Sequence, residues 1–138
     1  MPYLRVWIHL VWTTKYRKPF LTKGIRHRVF WHIKNTARKK GICFIEVNGY
    51  DDHVHCLLSL RPDQSLAEVV HAVKGESSYW INKQKMTYER FSWQTEYYAA
   101  SVGPGDFVRV RLYIQNQEQH HKKKSLVKEL EANEEYWL

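Results

Sequence analysis

The chain has 138 residues, 43% hydrophobic and 14% aromatic, with a formal net charge of +8 at pH 7. That composition excludes a wholly disordered chain and suits a single domain, residues 1–138, around one core. No apolar run approaches the roughly 20 residues that span a bilayer, and Met1 to Arg5 lacks a signal-peptide core, so a cytoplasmic protein off the membrane is expected. The charge is unevenly spread: residues 1–50 carry eleven Lys and Arg against the single acid Glu46, and the remainder carries eleven against thirteen. A basic half beside a near-neutral half points to a surface for a polyanion. Cys43 and Cys56 can build neither a disulfide framework nor a four-cysteine zinc site. Both lie in apolar runs, where a buried free thiol is expected.

Tyr3 to Tyr16 is rich in aromatic and β-branched residues and reads as a strand, central in its sheet and ended by Lys15-Tyr16-Arg17-Lys18-Pro19. A helix follows from about Thr22 to Lys40, with Ile25, Val29, Ile33 and Ala37 at four-residue steps and Gly41 where a C-terminal cap belongs. Ile42 to Val47 and His53 to Leu60 read as strands, with Asn48-Gly49 as a turn signal between them. Ser65-Leu66-Ala67-Glu68 is a capping box that opens a second helix. Phe91 to Val102 reads as loop and strand, and Gly103-Pro104-Gly105 breaks the chain. Asp106 is placed to cap a third helix running to about His121, and a short helix is expected from Ser125 to Glu135. The order strand, helix, strand, strand, helix, strand, helix predicts an α+β, ferredoxin-like split βαβ fold, an antiparallel sheet with helices on one face.

Two groups of residues carry chemistry. Strand side chains alternate between faces, so His53 and His55 share one face while Val54, Cys56, Leu58 and Leu60 share the other. Two imidazoles side by side form a two-nitrogen metal site or a pair of partly exposed strand histidines. In the third helix, Tyr113, Gln117 and His121 lie four apart on one stripe, beside the apolar stripe Phe107, Val110 and Ile114. Taken alone, Tyr113 reads as an amphipathic cover for the edge of the core, and Gln117 as a solvated helix former. Taken together, two imidazoles and a neutral amide oxygen would leave a bound cation its full charge and open coordination positions. A tyrosine one turn from the amide would then stand beside a phosphate on that cation, and a phenolate is both nucleophile and leaving group. Hard phosphate and mixed nitrogen and oxygen donors favour Mg or Mn.

These residues also resemble a known family. Val11-Trp12-Thr13-Thr14-Lys15-Tyr16-Arg17-Lys18-Pro19, Asp52-His53-Val54-His55, Val73-Lys74-Gly75-Glu76-Ser77-Ser78, Phe91-Ser92-Trp93-Gln94 and Tyr113 to His121 look like the single-tyrosine HUH transposases of small insertion sequences. The likeness runs along most of the chain, with Asp51-Asp52 where relatives often have Pro-Asp, and Glu96 where a glycine is common. It implies that Tyr113 is the nucleophile and that His53, His55 and Gln117 hold a divalent metal. It further implies cleavage and rejoining of single-stranded DNA through a 5′-phosphotyrosine, hairpin substrates, a homodimer and no nucleotide cofactor. Asp52 is a candidate for orienting the adjacent histidine. Lys15, Arg17, Lys18, Lys74, Arg109, His120, His121 and Lys122 are candidate DNA contacts, and Tyr16 or Trp12 a candidate platform for an unpaired base, with core packing the stronger reading for Trp12. His9, His27, His32 and His71 have no role in the pattern. The competing readings are a ferredoxin-like nucleic-acid-binding module without catalysis, a phosphoesterase that uses water, and, within the same chemistry, a domesticated relative acting on genomic repeats or a replication initiator.

Overall fold

The computed structural model describes residues 4–121. Four strands form one antiparallel sheet: β1 (Val6–Thr13), β2 (Cys43–Gly49), β3 (His53–Leu60) and β4 (Tyr98–Val102), in the order β2-β3-β1-β4. The helices are α1 (Arg26–Lys39), α2 (Leu66–Lys83), α3 (Phe107–Gln115) and a short α4 (Gln117–His121). This is the split βαβ order expected, with β1 central and buried through its middle.

The main core lies on one face of the sheet. Leu10 and Trp12 of β1 and Val54, Cys56 and Leu58 of β3 meet Val29, Phe30, Ile33 and Ala37 of α1 and Val69, Val70, Val73 and Ile81 of α2. The expectation of helices on one face holds for α1 and α2, while α3 lies on the opposite face. There Val110 and Ile114 pack on Leu57, which alternates with the main-core residues along β3, and on Val102 of β4. A register shift between Phe44 and Glu46 bends β2, so that Phe44 joins the main core while Glu46 and Asn48 turn toward α3.

Local signals act as their chemistry requires. The Ser65 side chain accepts the Glu68 amide at the start of α2, and Gly41 takes φ +76 just beyond α1. Gly49 has no room for a side chain, since a Cβ there would lie 2.2 Å from the His53 carbonyl oxygen. Asp106 makes no side-chain cap; its carboxylate pairs with Arg109 instead. The third helix also stops earlier than its periodicity suggests, turning at Asn116 before α4 begins. Cys56 is buried as expected, whereas Cys43 is exposed because it opens the edge strand β2. The expected Ser125–Glu135 helix, Lys122, and the side chains of His120 and His121 lie outside the described residues. Among the described residues no helix is long and apolar enough to cross a membrane.

Candidate active site

The β1–β3 register sets His53 opposite Thr13 and His55 opposite Val11, beneath α3. Both imidazoles are buried, and so is that of His9, which stands one step along the same face of β1. His53 Nδ1 is 2.7 Å from Asp52 Oδ1. His55 Nδ1 is 2.8 Å from His9 Nε2. Each β3 histidine therefore has its Nδ1 engaged, and the Nε2 atoms of both are buried.

Tyr113 brings the helix chemistry to this pair. Its ring meets that of His55 edge-on at 5.6 Å and that of His9 at 6.1 Å, with its hydroxyl oxygen buried. The helix is held in place from β2. Asn48 Nδ2 donates to the carbonyls of Ile114 at 2.9 Å and Gln115 at 3.1 Å, which a helix end would otherwise leave to solvent. Glu46 accepts from Arg111 and from Gln115. Beyond the turn at Asn116, Gln117 is fully buried and donates Nε2 to the Tyr113 carbonyl at 3.1 Å, so Oε1 is its donor atom for any cation. Arg26, itself buried, reaches Glu118 at 3.3 Å and ties α4 to the start of α1.

Asp52 joins the site to the basic turn after β1. Its Oδ2 accepts from Arg17 Nε at 3.2 Å, and its carbonyl accepts from the Thr14 amide at 2.8 Å. Partial burial works to raise the Asp52 carboxyl, but the hydrogen bond and charge of His53, with those of Arg17, outweigh it and hold the pKa below its ordinary value. Asp51 moves the other way, raised by burial and by the neighbouring Asp52. His9 is pushed down to about 3 by burial, so it is neutral at physiological pH.

The expected DNA contacts divide. Lys15, Tyr16 and Arg17 are exposed at the end of β1, with Tyr16 and Arg17 in left-handed backbone at φ +58 and +54. Such backbone is strained for residues other than glycine, and the hydrogen bonds from Thr14 and Arg17 to Asp52 hold it. Trp12 is a core residue, whereas Tyr16 is 77% exposed. Lys18 pairs with Glu89, and Arg109 with Asp106. The Lys74 ammonium donates to the carbonyls of Gln94, Thr95 and Glu96, which makes it a clasp on the segment leading into β4. Trp93 is a core anchor whose indole N–H donates to Ser77 Oγ.

Sequence periodicity misses His9, because its contact is a diagonal cross-strand pair 46 positions away. The available signal is its parity. In β1 it falls on the face opposite Leu10 and Trp12, the face on which His53 and His55 stand once β1 and β3 pair. Among the described residues no group of three or more His, Cys, Asp and Glu side chains could hold a metal.

The profile of the family described as IS200-like transposase matches residues 3–117. The ISDra2 transposase TnpA of Deinococcus radiodurans is 29% identical over 115 residues, covering 79% of this chain and 81% of that protein. The transposase of insertion sequence IS200 from Salmonella typhimurium is 28% identical over 119 residues, covering 83% of this chain and 78% of that one. The crystal structure of a candidate transposase from D. radiodurans superposes with a TM-score of 0.64 at 25% identity, over 85% of this chain and 95% of that one. A REP-associated tyrosine transposase bound to a REP hairpin shares the fold, with a TM-score of 0.62 at 17% identity over 88% and 72% of the two chains.

Proposed function

The chain belongs to the IS200-like transposase family, and from that premise we propose that it cuts and rejoins single-stranded DNA with Tyr113 as nucleophile. The observation that carries this reading is the Tyr113 ring edge-on to His55, in a pair of histidines whose Nδ1 atoms are both already engaged. Tyr113 Oη forms a bond to the scissile phosphorus as the bond to the 3′-oxygen breaks, and the phenol proton passes in net terms to that 3′-oxygen. The products are a 5′-phosphotyrosine and a 3′-hydroxyl. The covalent bond conserves the energy of the cleaved one, so rejoining needs no nucleotide cofactor.

The donor set fits a hard divalent cation, Mg or Mn, on Nε2 of His53, Nε2 of His55 and Oε1 of Gln117. When bound, the cation polarises a non-bridging phosphate oxygen and stabilises charge in the transition state. Asp52 orients His53, and Asn48 and Glu46 hold the helix that presents Tyr113. One tyrosine makes one cut at a time, and excision needs two, so two copies act together. Lys15 and Arg17, exposed beside Asp52, are the strongest candidates for backbone phosphate contacts. The substrate class proposed is single-stranded DNA carrying a hairpin.

A denaturing-gel adduct assay tests the proposal. Labelled single-stranded hairpins with Mn²⁺ are expected to give a covalent band that chelator and Tyr113→Phe both remove. Product released without an adduct, or cleavage surviving in Tyr113→Phe, would reassign the chemistry to water.

A further inference from the structure

The contact between His55 and His9 is one of two matching arrangements. His53 meets a carboxylate through Nδ1, and His55 meets a second imidazole through Nδ1. A carboxylate can only accept, so Asp52 sets the His53 tautomer with its proton on Nδ1. An imidazole can donate or accept, and the 2.8 Å separation fits both directions. The two directions have opposite consequences. If His9 donates, His55 carries its own proton on Nε2 and cannot ligate there. If His9 accepts, His55 has its proton on Nδ1 and its lone pair on Nε2, as His53 does.

We propose that His9 is a positioning residue that accepts the Nδ1 proton of His55 and so holds His55 in the tautomer whose Nε2 can bind a cation. This rests on the reading of His55 as a metal ligand. Ligating histidines commonly donate their other ring N–H to a fixed acceptor, which sets tautomer and ring orientation together. His9 suits that task where it stands. It is 1% exposed, on the central strand, opposite Ala100 of β4 and Leu57 of β3. Its ring lies within 16° of parallel to that of His55, with Tyr98 and Tyr113 edge-on to it at 6.3 and 6.1 Å. These contacts restrict the ring's rotation, so the acceptor is preorganised. A carboxylate at this depth would bring a buried negative charge and its desolvation cost, whereas a neutral imidazole accepts the same proton without either. The two ligand histidines are thus oriented differently: His53 by an anion that also holds Arg17, and His55 by an uncharged group inside the sheet.

The direct test needs neither metal nor DNA. Long-range ¹H–¹⁵N correlation spectra of the wild-type chain at about pH 8, above the ordinary histidine range, distinguish the two neutral tautomers. His55 signals are assigned by their loss in His55→Gln. The expected result is His55 protonated at Nδ1 and His9 accepting at Nε2; His55 protonated at Nε2 would overturn the proposal. A Mn²⁺ titration read by electron paramagnetic resonance adds the consequence. His9→Phe, which cannot accept, is expected to weaken Mn²⁺ binding about tenfold or more, and His9→Gln, whose amide oxygen can accept, to restore most of it. Wild-type affinity in a folded His9→Phe chain would contradict the role. Should His9→Phe fail to fold, the wild-type tautomer still decides. Absence of Mn²⁺ binding by the wild-type chain would count against the metal reading of His55, a separate failure from that of His9.

Discussion

Asp52 has three tasks at once: it orients His53, fixes Arg17, and accepts the Thr14 amide through its carbonyl. Asp52→Ala is therefore expected to lower Mn²⁺ affinity by on the order of tenfold and to loosen the strained Tyr16-Arg17 turn. Asp52→Asn, which keeps an oxygen acceptor, should fall between, and titration of the three chains checks the order. For Tyr113 the expectation is more severe. Tyr113→Phe keeps the ring that packs on His55 while removing the hydroxyl proposed as nucleophile, so cleavage should drop by on the order of a thousandfold or more with hairpin affinity little changed. Cleavage rates and binding titrations separate the two effects. The alternation of His53 and His55 and the acid before them were legible in the sequence, because strand parity is a local property. The contact of His9 with His55 was not, because a diagonal contact between strands exists only after β1 and β3 pair.

At the scale of elements, the site depends on how β2 and α3 meet. Asn48 serves two carbonyls at the end of α3, so Asn48→Ala should cost about 1–3 kcal/mol and shift Tyr113, seen as a lower denaturation midpoint with slower cleavage. Gly49→Ala drives a methyl group into the His53 carbonyl and should cost about 1–3 kcal/mol by the same measurement. The strands and the capping box of α2 followed from alternation and from a four-residue signal. The end of α3 at Asn116 did not, because Tyr113, Gln117 and His121 keep helical spacing, and the β2 side chain that takes the last carbonyls of α3 arrives only with the fold. The placement of α3 opposite α1 and α2 was half legible: its apolar stripe was plain, but the receiving face belongs to Leu57 and Val102 on two different strands.

At the scale of the whole molecule, the sheet separates two functions. One face and its two long helices form the main core, and the other presents the histidines beneath the helix that carries the tyrosine. The uneven charge, eleven Lys and Arg against one acid in residues 1–50, places the basic turn at Lys15 to Arg17 at the edge of that site. DNA binding should therefore weaken steeply with salt, with a log–log slope of roughly −0.7 per single-strand phosphate contact. The double variant Lys15→Ala, Arg17→Ala should flatten that slope by about 1–1.5, as salt-dependent titrations would report. The basic bias was visible in composition; the pairing of Lys18 with Glu89 and Arg109 with Asp106 and the use of Lys74 as a loop clasp were not, because those contacts are made by folding.

Mass spectrometry of the tryptic peptide Leu112–Lys122, after incubation with a single-stranded hairpin and Mn²⁺, tests the assignment of Tyr113 as nucleophile. A nucleotide attached through its 5′-phosphate to Tyr113 is expected. Cleaved DNA with that peptide unmodified, or an adduct on another residue, would contradict it.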